Sequence, residues 1–457
     1  MAKFFLVKFP GYGARLYLFA MKQYVFPDGY SFFASIDRTL KQIKNPIGTI
    51  EESMAAFNGT YRVYLGRKRF IVTQDPAFIE HVLKKNHRNY FKSELQTHAL
   101  GRFLGKGLLT SNGDFWLRQR RLIQPGFHLE KIHGLYEIMQ RTVARFLEGV
   151  SPGEVDVYPL MNRLAFDIVM DTLFNVVIPE TRRADISRFV SDTQDFVIRD
   201  LRRPHLSWWY RLSGELARNH QKAQRARDII AAIIRERRPS VGSHGDLLDM
   251  LLQARYEDTN EPMAEEQLID EIMVLIIAGH ETTANALSWI LYLLARNPEE
   301  QNNLFAQTNN LNLMDRTTNG HLKAGTNEGM RLYPPAYVSD RVSLNDDTFN
   351  GYSYPANTII VLFYYGLHRD PRFWQEPGRF LPQRFLDPAN REIKNVFFPF
   401  GSGPRLCIGN NFAMAEMAIF LQQFIKRFQV LPTDHIPVVN ALVTLKPDRV
   451  PLHIVKR

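Results

Sequence analysis

The longest apolar stretch of the chain covers residues 264–297, AEEQLIDEIMVLIIAGHETTANALSWILYLLARN. Pro262 precedes it and Pro298 follows it, which predicts one uninterrupted helix between them. At 1.5 Å per residue this helix would be about 50 Å long, the width of a whole domain. A helix that is apolar on most of its faces has to cross the core. His280 and Glu281 interrupt the apolar run, so the helix is not predicted to span a membrane.

Shorter patterns predict further elements in the first third of the chain. Residues 60–73, TYRVYLGRKRFIVT, alternate in the way that a β-hairpin does. A helix is predicted to follow, with Asp75 as its N-cap and Pro76 as its first residue. Another helix is predicted to begin near Ser111 and Asp114, because these two residues have the spacing of a capping box.

The rest of the chain is also predicted to be mostly helical. The helical pattern of residues 162–237 is broken by an aromatic loop, HLSWWY, at 205–210, and a strand is predicted at 358–365, TIIVLFYY. These patterns predict a fold that is mainly α with a minor β-sheet. No boundary divides the chain, so we expect one large domain over residues 1–457, with an N-terminal arm of about residues 1–30.

The N-terminal arm is apolar and aromatic, but Lys3, Lys8, Arg15 and Lys22 interrupt it. No uncharged run approaches the roughly 20 residues of a spanning helix. The longest apolar run, LYLFAM, is also shorter than the core of a signal peptide, which needs about 7–15 residues. We therefore expect no transmembrane anchor and a soluble, cytoplasmic protein whose arm packs on itself, and a peripheral membrane contact stays open.

Composition excludes several kinds of site. The single cysteine, Cys407, rules out an internal disulfide framework and a zinc or iron–sulfur site built from four cysteines. The formal net charge of +10 favours an acidic partner, an anionic surface or an anionic cofactor, although a generic basic surface explains it equally well.

The sequence around Cys407, FPFGSGPRLCIGNNF, favours a thiolate. Gly401, Gly403 and Gly409 permit positive φ and close backbone approach, and a predicted helix begins just after the loop. Backbone N–H groups and a helix N-terminus both stabilise negative sulfur. A nucleophilic cysteine would require a general base, and no histidine lies nearby in the sequence. Haem, which brings four nitrogen ligands of its own, is the economical interpretation of a lone ligating cysteine.

Five stretches of the chain resemble, in order and spacing, the sequence motifs of the cytochrome P-450 superfamily. They are Trp116-x-x-x-Arg120, Ala278-Gly279-x-Glu281-Thr282-Thr283, Glu328-x-x-Arg331, Pro382-Gln383-Arg384-Phe385 and Phe400-Gly401-x-Gly403-x-Arg405-x-Cys407-x-Gly409. The resemblance extends from about the first hairpin to the C-terminus. It implies a cytochrome P-450 fold in which haem b lies between the long central helix and the cysteine loop.

The resemblance also implies a role for each matched residue. Cys407 would be the axial iron ligand, and Glu281 and Thr282 would be the acid–alcohol pair that delivers protons during oxygen activation. Glu328 and Arg331 would form a buried structural network with a third residue. The third residue of that network would be Arg384. The partners of the two haem propionates would be Trp116, Arg120, Arg341 and Arg405. Further haem contacts would come from Phe400, Gly401, Ala278 and Gly279.

The implied activity is that of a monooxygenase that inserts one oxygen atom of O₂ into a lipophilic substrate. A peroxide-driven peroxygenase and a haem protein that binds a ligand without turnover are the alternatives. No flavin or iron–sulfur domain follows Cys407, so electrons are expected from a separate acidic partner of the ferredoxin or flavodoxin type, with its reductase. Arg118 and Arg121 are predicted to dock that partner. Substrate contacts are expected from residues 91–108, residues 205–210 and the central helix, and no nucleic acid is expected to bind.

Overall fold

A computed structural model describes residues 23–66, 68–202, 206–308, 313 and 320–457. Residues 1–22 of the predicted N-terminal arm and His205 of the predicted aromatic loop lie outside these residues. Helices dominate the described part of the chain, as the sequence predicted. They are α1 (Phe32–Lys44), α2 (Pro46–Ala56), α3 (Pro76–Glu80), α4 (Gly101–Leu104), α5 (Gly113–Ile123), α6 (Leu129–His133), α7 (Tyr136–Glu148), α8 (Val157–Phe174), α9 (Glu180–Arg202), α10 (Ser207–Leu212), α11 (Glu215–Arg237), α12 (Leu247–Gln253), α13 (Glu265–Arg296), α14 (Pro298–Thr308), α15 (Gly320–Leu332), α16 (Tyr364–Leu367) and α17 (Asn410–Arg427).

The strands form small sheets at the edges of this helical body. They are β1 (Thr60–Leu65), β2 (Lys68–Thr73), β3 (Tyr90–Phe91), β4 (Gly153–Asp156), β5 (Ser339–Ser343), β6 (Asp347–Phe349), β7 (Tyr352–Tyr354), β8 (Ile359–Leu362), β9 (Phe428–Pro432), β10 (Val439–Ala441), β11 (Leu445–Pro447) and β12 (Pro451–Lys456). The largest sheet has the order β1-β2-β8-β5-β3, and β2 and β8 pair in parallel with Phe70 opposite Ile359. The order β4-β12-β9 makes a second sheet, while β6-β7 and β10-β11 are hairpins.

The central helix α13 crosses the core and packs against α8, α11, α15 and α17. Its apolar residues are buried on most faces, which explains why its boundaries agree with the predicted range of 264–297 to within one residue. Gly329 of α15 faces it directly, because a Cβ at Gly329 would lie 2.4 Å from Cγ1 of Ile290. A glycine inside α15 therefore permits the close approach of these two helices.

The predicted β-hairpin is confirmed as β1 and β2, which pair with Thr60 opposite Thr73. The predicted N-cap of α3 is confirmed as well, since Oδ1 of Asp75 accepts a hydrogen bond of 2.8 Å from the backbone N–H of Phe78. Both are short-range patterns in which neighbouring residues determine the geometry.

Three local predictions were wrong. The capping box does not form, because Asn112 occupies the N-cap position of α5 and the Ser111 hydroxyl donates to the carbonyl of Gly107 instead. The aromatic residues predicted as a loop form the short helix α10. The strand predicted at 358–365 ends at Leu362, because Tyr364 begins a helical turn.

Within the described residues, no helix is long and apolar enough to cross a membrane. Helix α1 nevertheless presents apolar side chains to solvent at i, i+3 and i+4 spacing, with Phe33 81% exposed and Ile36, Leu40 and Ile43 also exposed. The same helix carries Lys41, and helices that lie on a lipid surface commonly combine exposed apolar side chains with lysine. The peripheral membrane contact stays a prediction.

Candidate functional site

A largely apolar cavity of about 430 Å³ lies between α13 and the loop that precedes α17. Every residue predicted to contact haem or to take part in catalysis lines this cavity, namely Trp116, Arg120, Ala278, Gly279, Glu281, Thr282, Arg341, Phe400, Gly401, Arg405 and Cys407. These residues come from α5, α13, β5 and the cysteine loop, and the fold brings them to one space. Residues of the predicted substrate segment 91–108 line it as well, Gln96 and Leu100 among them.

The predicted aromatic contacts do not reach this cavity. Tyr210 is buried in the core and packs edge-on against Phe196 at a centroid distance of 5.5 Å. Trp208 and Trp209 are 59% and 53% exposed. The described part of residues 205–210 therefore does not line the cavity. Of the three aromatic residues of α10, Tyr210 is the one that is buried in the core.

The loop around Cys407 is held by backbone bonds that its glycines make possible. The N–H of Cys407 donates to the carbonyl of Phe400 at 3.0 Å. Gly401 and Gly403 have φ values of +70° and +71°, which side chains disfavour. A Cβ at Gly403 would also lie 2.0 Å from the carbonyl oxygen of Leu83. Gly409 has φ of −86°, so the predicted positive φ occurs at only two of the three glycines.

The Cys407 thiol is exposed, but the surface that it exposes faces the cavity. Burial among the surrounding atoms raises the pKa of this thiol. The backbone N–H of Gly409 lowers the pKa, as the sequence suggested, and the charge of Arg120 lowers it too, but burial outweighs both. A cation bound at the sulfur would favour the thiolate.

Four cationic side chains converge on the cavity: Lys92, Arg120, Arg341 and Arg405. None of them forms an ion pair with another residue in the part of the chain that the structure describes. Their hydrogen bonds go to neutral acceptors, such as the carbonyls of Leu108 and Leu109 for Lys92, Leu406 for Arg120, Asp340 for Arg341 and Ser111 for Arg405.

The mutual repulsion of these cations contributes to lowering the pKa of two of them, Arg405 and Lys92. Burial and the nearby Arg341 lower the pKa of Arg405 to about 10. Burial also holds the pKa of Lys92 well below its usual value, and the charges of Arg405 and Arg341 lower it further. Like charges that are half-buried together favour an anionic ligand between them.

Sequence reasoning missed Lys92. Its local sequence, NYFKSEL, is typical of any strand that ends near the surface, so no local signal distinguished this lysine from a solvated one. The fold places it in the cluster because Asn112 bonds to both the N–H and the carbonyl of Lys92, at 3.0 and 3.1 Å.

The opposite wall of the cavity comes from the middle of α13. The Thr282 hydroxyl donates to the Ala278 carbonyl at 2.8 Å, one helical turn earlier. Glu281 is 5% exposed, and burial raises the pKa of its carboxyl. Gly279 also lines the cavity, but a Cβ there would lie 3.1 Å from Cγ2 of Val169, so this glycine serves the packing of α8 against α13 as well.

The second predicted constellation lies outside the cavity. Glu328 and Arg331 are fully buried, and Glu328 Oε2 accepts a hydrogen bond of 2.8 Å from Nε of Arg331. Arg384 joins them with Nε 3.1 Å from Glu328 Oε1. Arg331 donates further to the carbonyls of His368, Pro377 and Arg379. The three charges therefore hold α15 to the segment 368–384.

The cavity meets the requirements of haem in three ways. It offers one thiol on a largely apolar surface. It also offers four unpaired cations that match two propionate carboxylates, and a helix wall of small residues opposite the sulfur. Among the described residues, no three His, Cys, Asp or Glu side chains are grouped so that they could hold a metal ion by themselves. A metal at Cys407 would therefore have to arrive with most of its own ligands.

Comparison with known proteins agrees with this chemistry. The sequence model of the cytochrome P450 family matches residues 38–452. Cyclooctat-9-en-7-ol 5-monooxygenase of Streptomyces melanosporofaciens is 28% identical over 83% of this chain and 84% of its own length. Cytochrome P-450 4ae1 of Drosophila melanogaster is 30% identical over 79% of this chain and 78% of its own length.

A solved structure shows the same fold. The crystal structure of the cytochrome P-450DA heme domain superposes with a TM-score of 0.84 at 21% identity, over 95% of this chain and 98% of that one. The predicted fold class is confirmed. The family match over most of the chain and the monooxygenase among the relatives identify an oxygen-incorporating oxidoreductase. The chain belongs to the cytochrome P-450 family of haem-thiolate monooxygenases.

Proposed function

We propose that this protein binds haem b through Cys407 and inserts one oxygen atom of O₂ into a lipophilic organic substrate, with electrons from a separate redox protein. The observation that carries the proposal is the combination of one thiol and four unpaired cations on a single, mostly apolar cavity. Lys92, Arg120, Arg341 and Arg405 would bind the two propionates, and Cys407 would supply a thiolate to the iron.

When bound, haem supplies the electron transfer and oxygen activation that no side chain of the chain can provide. The protein residues have other tasks. The apolar walls exclude water and bind substrate by burial of its apolar surface. Burial raises the pKa of the Glu281 carboxyl, which favours a proton held there at the cavity wall. Thr282, which is adjacent to it, places a hydroxyl on the cavity side of α13 and relays that proton.

The lining supports a lipophilic substrate but does not select one class. Val169, Leu173, Val274 and Ile277 contribute apolar surface, and neutral polar side chains such as Gln194 lie among them. Fatty acids, terpenoids and steroids all meet this requirement. The apolar lining is therefore the reason to search among such compounds first.

The proposal is tested with the haem-loaded protein, NADPH, a ferredoxin and its reductase. Compounds of the three classes are first screened for a change in the haem spectrum, and those that bind are assayed for O₂ uptake. We expect uptake that requires the compound, and a product that carries one atom of labelled O₂. Turnover with hydrogen peroxide alone would indicate a peroxygenase, and binding with no turnover under either condition would indicate a ligand-binding protein.

Arg405→Leu is expected to weaken haem retention about 10- to 100-fold, because a hydrogen bond between charged groups contributes about 1.5–3 kcal/mol. The rate of haem transfer to apomyoglobin measures the effect. The stability of the haem-free protein should change little, because the relieved repulsion with Arg341 offsets the lost stacking on Trp116.

Arg118→Leu is the matched control for that variant. Arg118 stacks on Tyr256 at 3.9 Å, much as Arg405 stacks on Trp116 at 4.0 Å, but it lies outside the cavity. Equal rates of haem loss from the two variants would contradict the assignment of Arg405 to a propionate.

The two arginines of α5 that were predicted to dock a redox partner have different surroundings. Arg118 is committed to an ion pair with Asp258 at 3.1 Å and to the ring of Tyr256. Arg121 is exposed and has no ion-pair partner among the residues that the structure describes. We therefore assign the attraction of an acidic redox partner chiefly to Arg121.

Electron transfer from an acidic ferredoxin should slow as ionic strength rises, because exposed charges are screened by salt. Arg121→Glu should lower the rate about 10-fold at low ionic strength. Arg163→Glu, a change at an exposed arginine of α8, serves as control. A rate that is independent of both salt and Arg121 would exclude electrostatic docking at α5.

A further inference from the structure

His368 follows the short helix α16 directly, and it is completely buried. Its backbone is fixed on both sides. The N–H of His368 donates to the carbonyl of Tyr364 at 2.8 Å, and its carbonyl accepts a hydrogen bond of 2.7 Å from Nη1 of Arg331. Arg331 is the partner of Glu328 in the buried ion pair of α15. The backbone of His368 is therefore attached to that buried charged network.

The imidazole ring of His368 contacts a different part of the chain, the segment that leads into the loop around Cys407. The backbone N–H of Phe398 donates to Nε2 of His368 at 2.9 Å, and this hydrogen bond is buried. The ring of Phe397 packs against the imidazole at a centroid distance of 5.2 Å. Because water does not reach this position, the ring is the acceptor on which the Phe398 N–H depends.

Two backbone hydrogen bonds continue from Phe398 to the cysteine. The carbonyl of Phe398 accepts a hydrogen bond of 3.1 Å from the N–H of Gly401. The carbonyl of Phe400 then accepts from the N–H of Cys407 at 3.0 Å. His368 thus connects the buried network of α15, through its own carbonyl, with the loop that carries the sulfur, through its ring.

The hydrogen bonding of the ring determines its protonation. A ring that accepts at Nε2 is neutral and carries its hydrogen on Nδ1. Burial holds the pKa of His368 well below its usual value, and the charges of Arg331 and Arg369 lower it further, which favours the same neutral form. Nδ1 is buried and has no hydrogen-bond partner among the residues that the structure describes. Since a buried donor without an acceptor is costly and an apolar side chain would avoid that cost, packing alone does not account for a histidine here.

We propose that His368 is a positioning residue for Cys407, and that its ring fixes Phe398 and thereby the loop that presents the sulfur to the cavity. It acts through the backbone and touches neither the cavity nor the sulfur. The inference rests on the proposed ligation of haem iron by Cys407. Residues that support a metal ligand in this way commonly affect the metal site 10- to 100-fold when they are replaced.

The test uses the haem-loaded protein without substrate, reduced and treated with carbon monoxide, and measures how fast the thiolate-type absorption is lost. His368→Leu removes the acceptor and leaves the Phe398 N–H buried without a partner, so the loss should be about 10-fold faster than in the parent. His368→Gln offers Oε1 as an acceptor close to the position of Nε2. This conservative variant should restore a rate near that of the parent.

Gln301→Leu is the matched control for the loss of a buried side-chain acceptor. Gln301 is 1% exposed, and its Oε1 accepts a hydrogen bond of 2.8 Å from the backbone N–H of Val430 on β9. This variant should lose stability but keep the spectral rate of the parent at a temperature at which all the proteins remain folded. Equal rates for His368→Leu and Gln301→Leu, or a rate for His368→Gln as fast as that for His368→Leu, would overturn the proposal.

Nuclear magnetic resonance of the parent tests the contact itself, and it takes the place of the leucine variant if that protein does not fold. Histidine labelled with ¹⁵N is incorporated, and the signals that disappear in His368→Gln identify His368 in the carbon monoxide complex. They should be those of a neutral ring with its hydrogen on Nδ1 between about pH 5 and 8. A charged ring, or a hydrogen on Nε2, would overturn the proposal. The expected ring signals in a parent without thiolate-type absorption would support the contact with Phe398 and refute the ligation by Cys407, so the two ideas fail separately.

Discussion

Glu328→Gln is expected to lower the free energy of unfolding by about 3–5 kcal/mol, because it leaves buried guanidinium charge without its anion. Arg331 is fully buried and its planar group lies over Trp374 at 5.0 Å, so water cannot replace the lost carboxylate. Arg384, whose side chain is 9% exposed, loses its partner at the same time. Guanidinium chloride unfolding followed by tryptophan fluorescence measures the change.

The chain offers a matched control for this prediction. Glu376 and Arg379 have the same i, i+3 spacing as Glu328 and Arg331 and an ion-pair distance of 2.5 Å, but their side chains are 47% and 66% exposed. Glu376→Gln should therefore change the unfolding free energy by about 0–1 kcal/mol. Equal losses for the buried and the exposed substitution would show that Glu328 does not act through a desolvated ion pair.

Thr282→Ala is expected to lower the yield of oxygenated product per NADPH about 100-fold, with electrons appearing in hydrogen peroxide and water. The reason is that positioned proton transfer contributes about 10²–10⁴-fold, and Thr282 presents the hydroxyl beside Glu281 at the cavity wall. NADPH consumption, peroxide and product are measured together. Substrate binding, read from the haem spectrum, should change little because only a hydroxyl and a methyl group are lost.

Thr326→Ala controls for the loss of a helical threonine. Its hydroxyl donates to the Leu322 carbonyl at 2.8 Å, the same distance and the same i−4 geometry as the bond from Thr282 to Ala278. Thr326 is buried in α15, away from the cavity. If both variants retained full product yield, Thr282 would have no part in proton delivery.

The sequence predicted the elements whose signals are local and strong. The limits of α13 followed from an apolar run between two prolines, and the first hairpin followed from alternation. The cysteine loop was predictable because Gly401 and Gly403 must adopt conformations that other residues disfavour. In each case the physical cause lies within a few residues of the feature.

Features that depend on distant partners could not be predicted. Asn112 was missed as an N-cap because its side chain bonds to the backbone of Lys92, twenty residues away in the chain. The same contact places Lys92 beside Arg405, which no local pattern indicates. The hydrogen bond from Asn285 to Thr444 joins α13 to the β10-β11 hairpin, 159 residues later in the chain. Tertiary packing alone brings these groups together.

The spectrum of the reduced, carbon monoxide-treated protein shows whether Cys407 ligates the haem iron. Parent and Cys407→Ser proteins are expressed, loaded with haem, reduced and exposed to carbon monoxide under the same conditions. The parent should show the absorption typical of a thiolate ligand, and the serine variant should lack it, because a hydroxyl does not supply a thiolate to iron. A serine variant that retained the thiolate-type absorption of the parent would show that Cys407 is not the iron ligand.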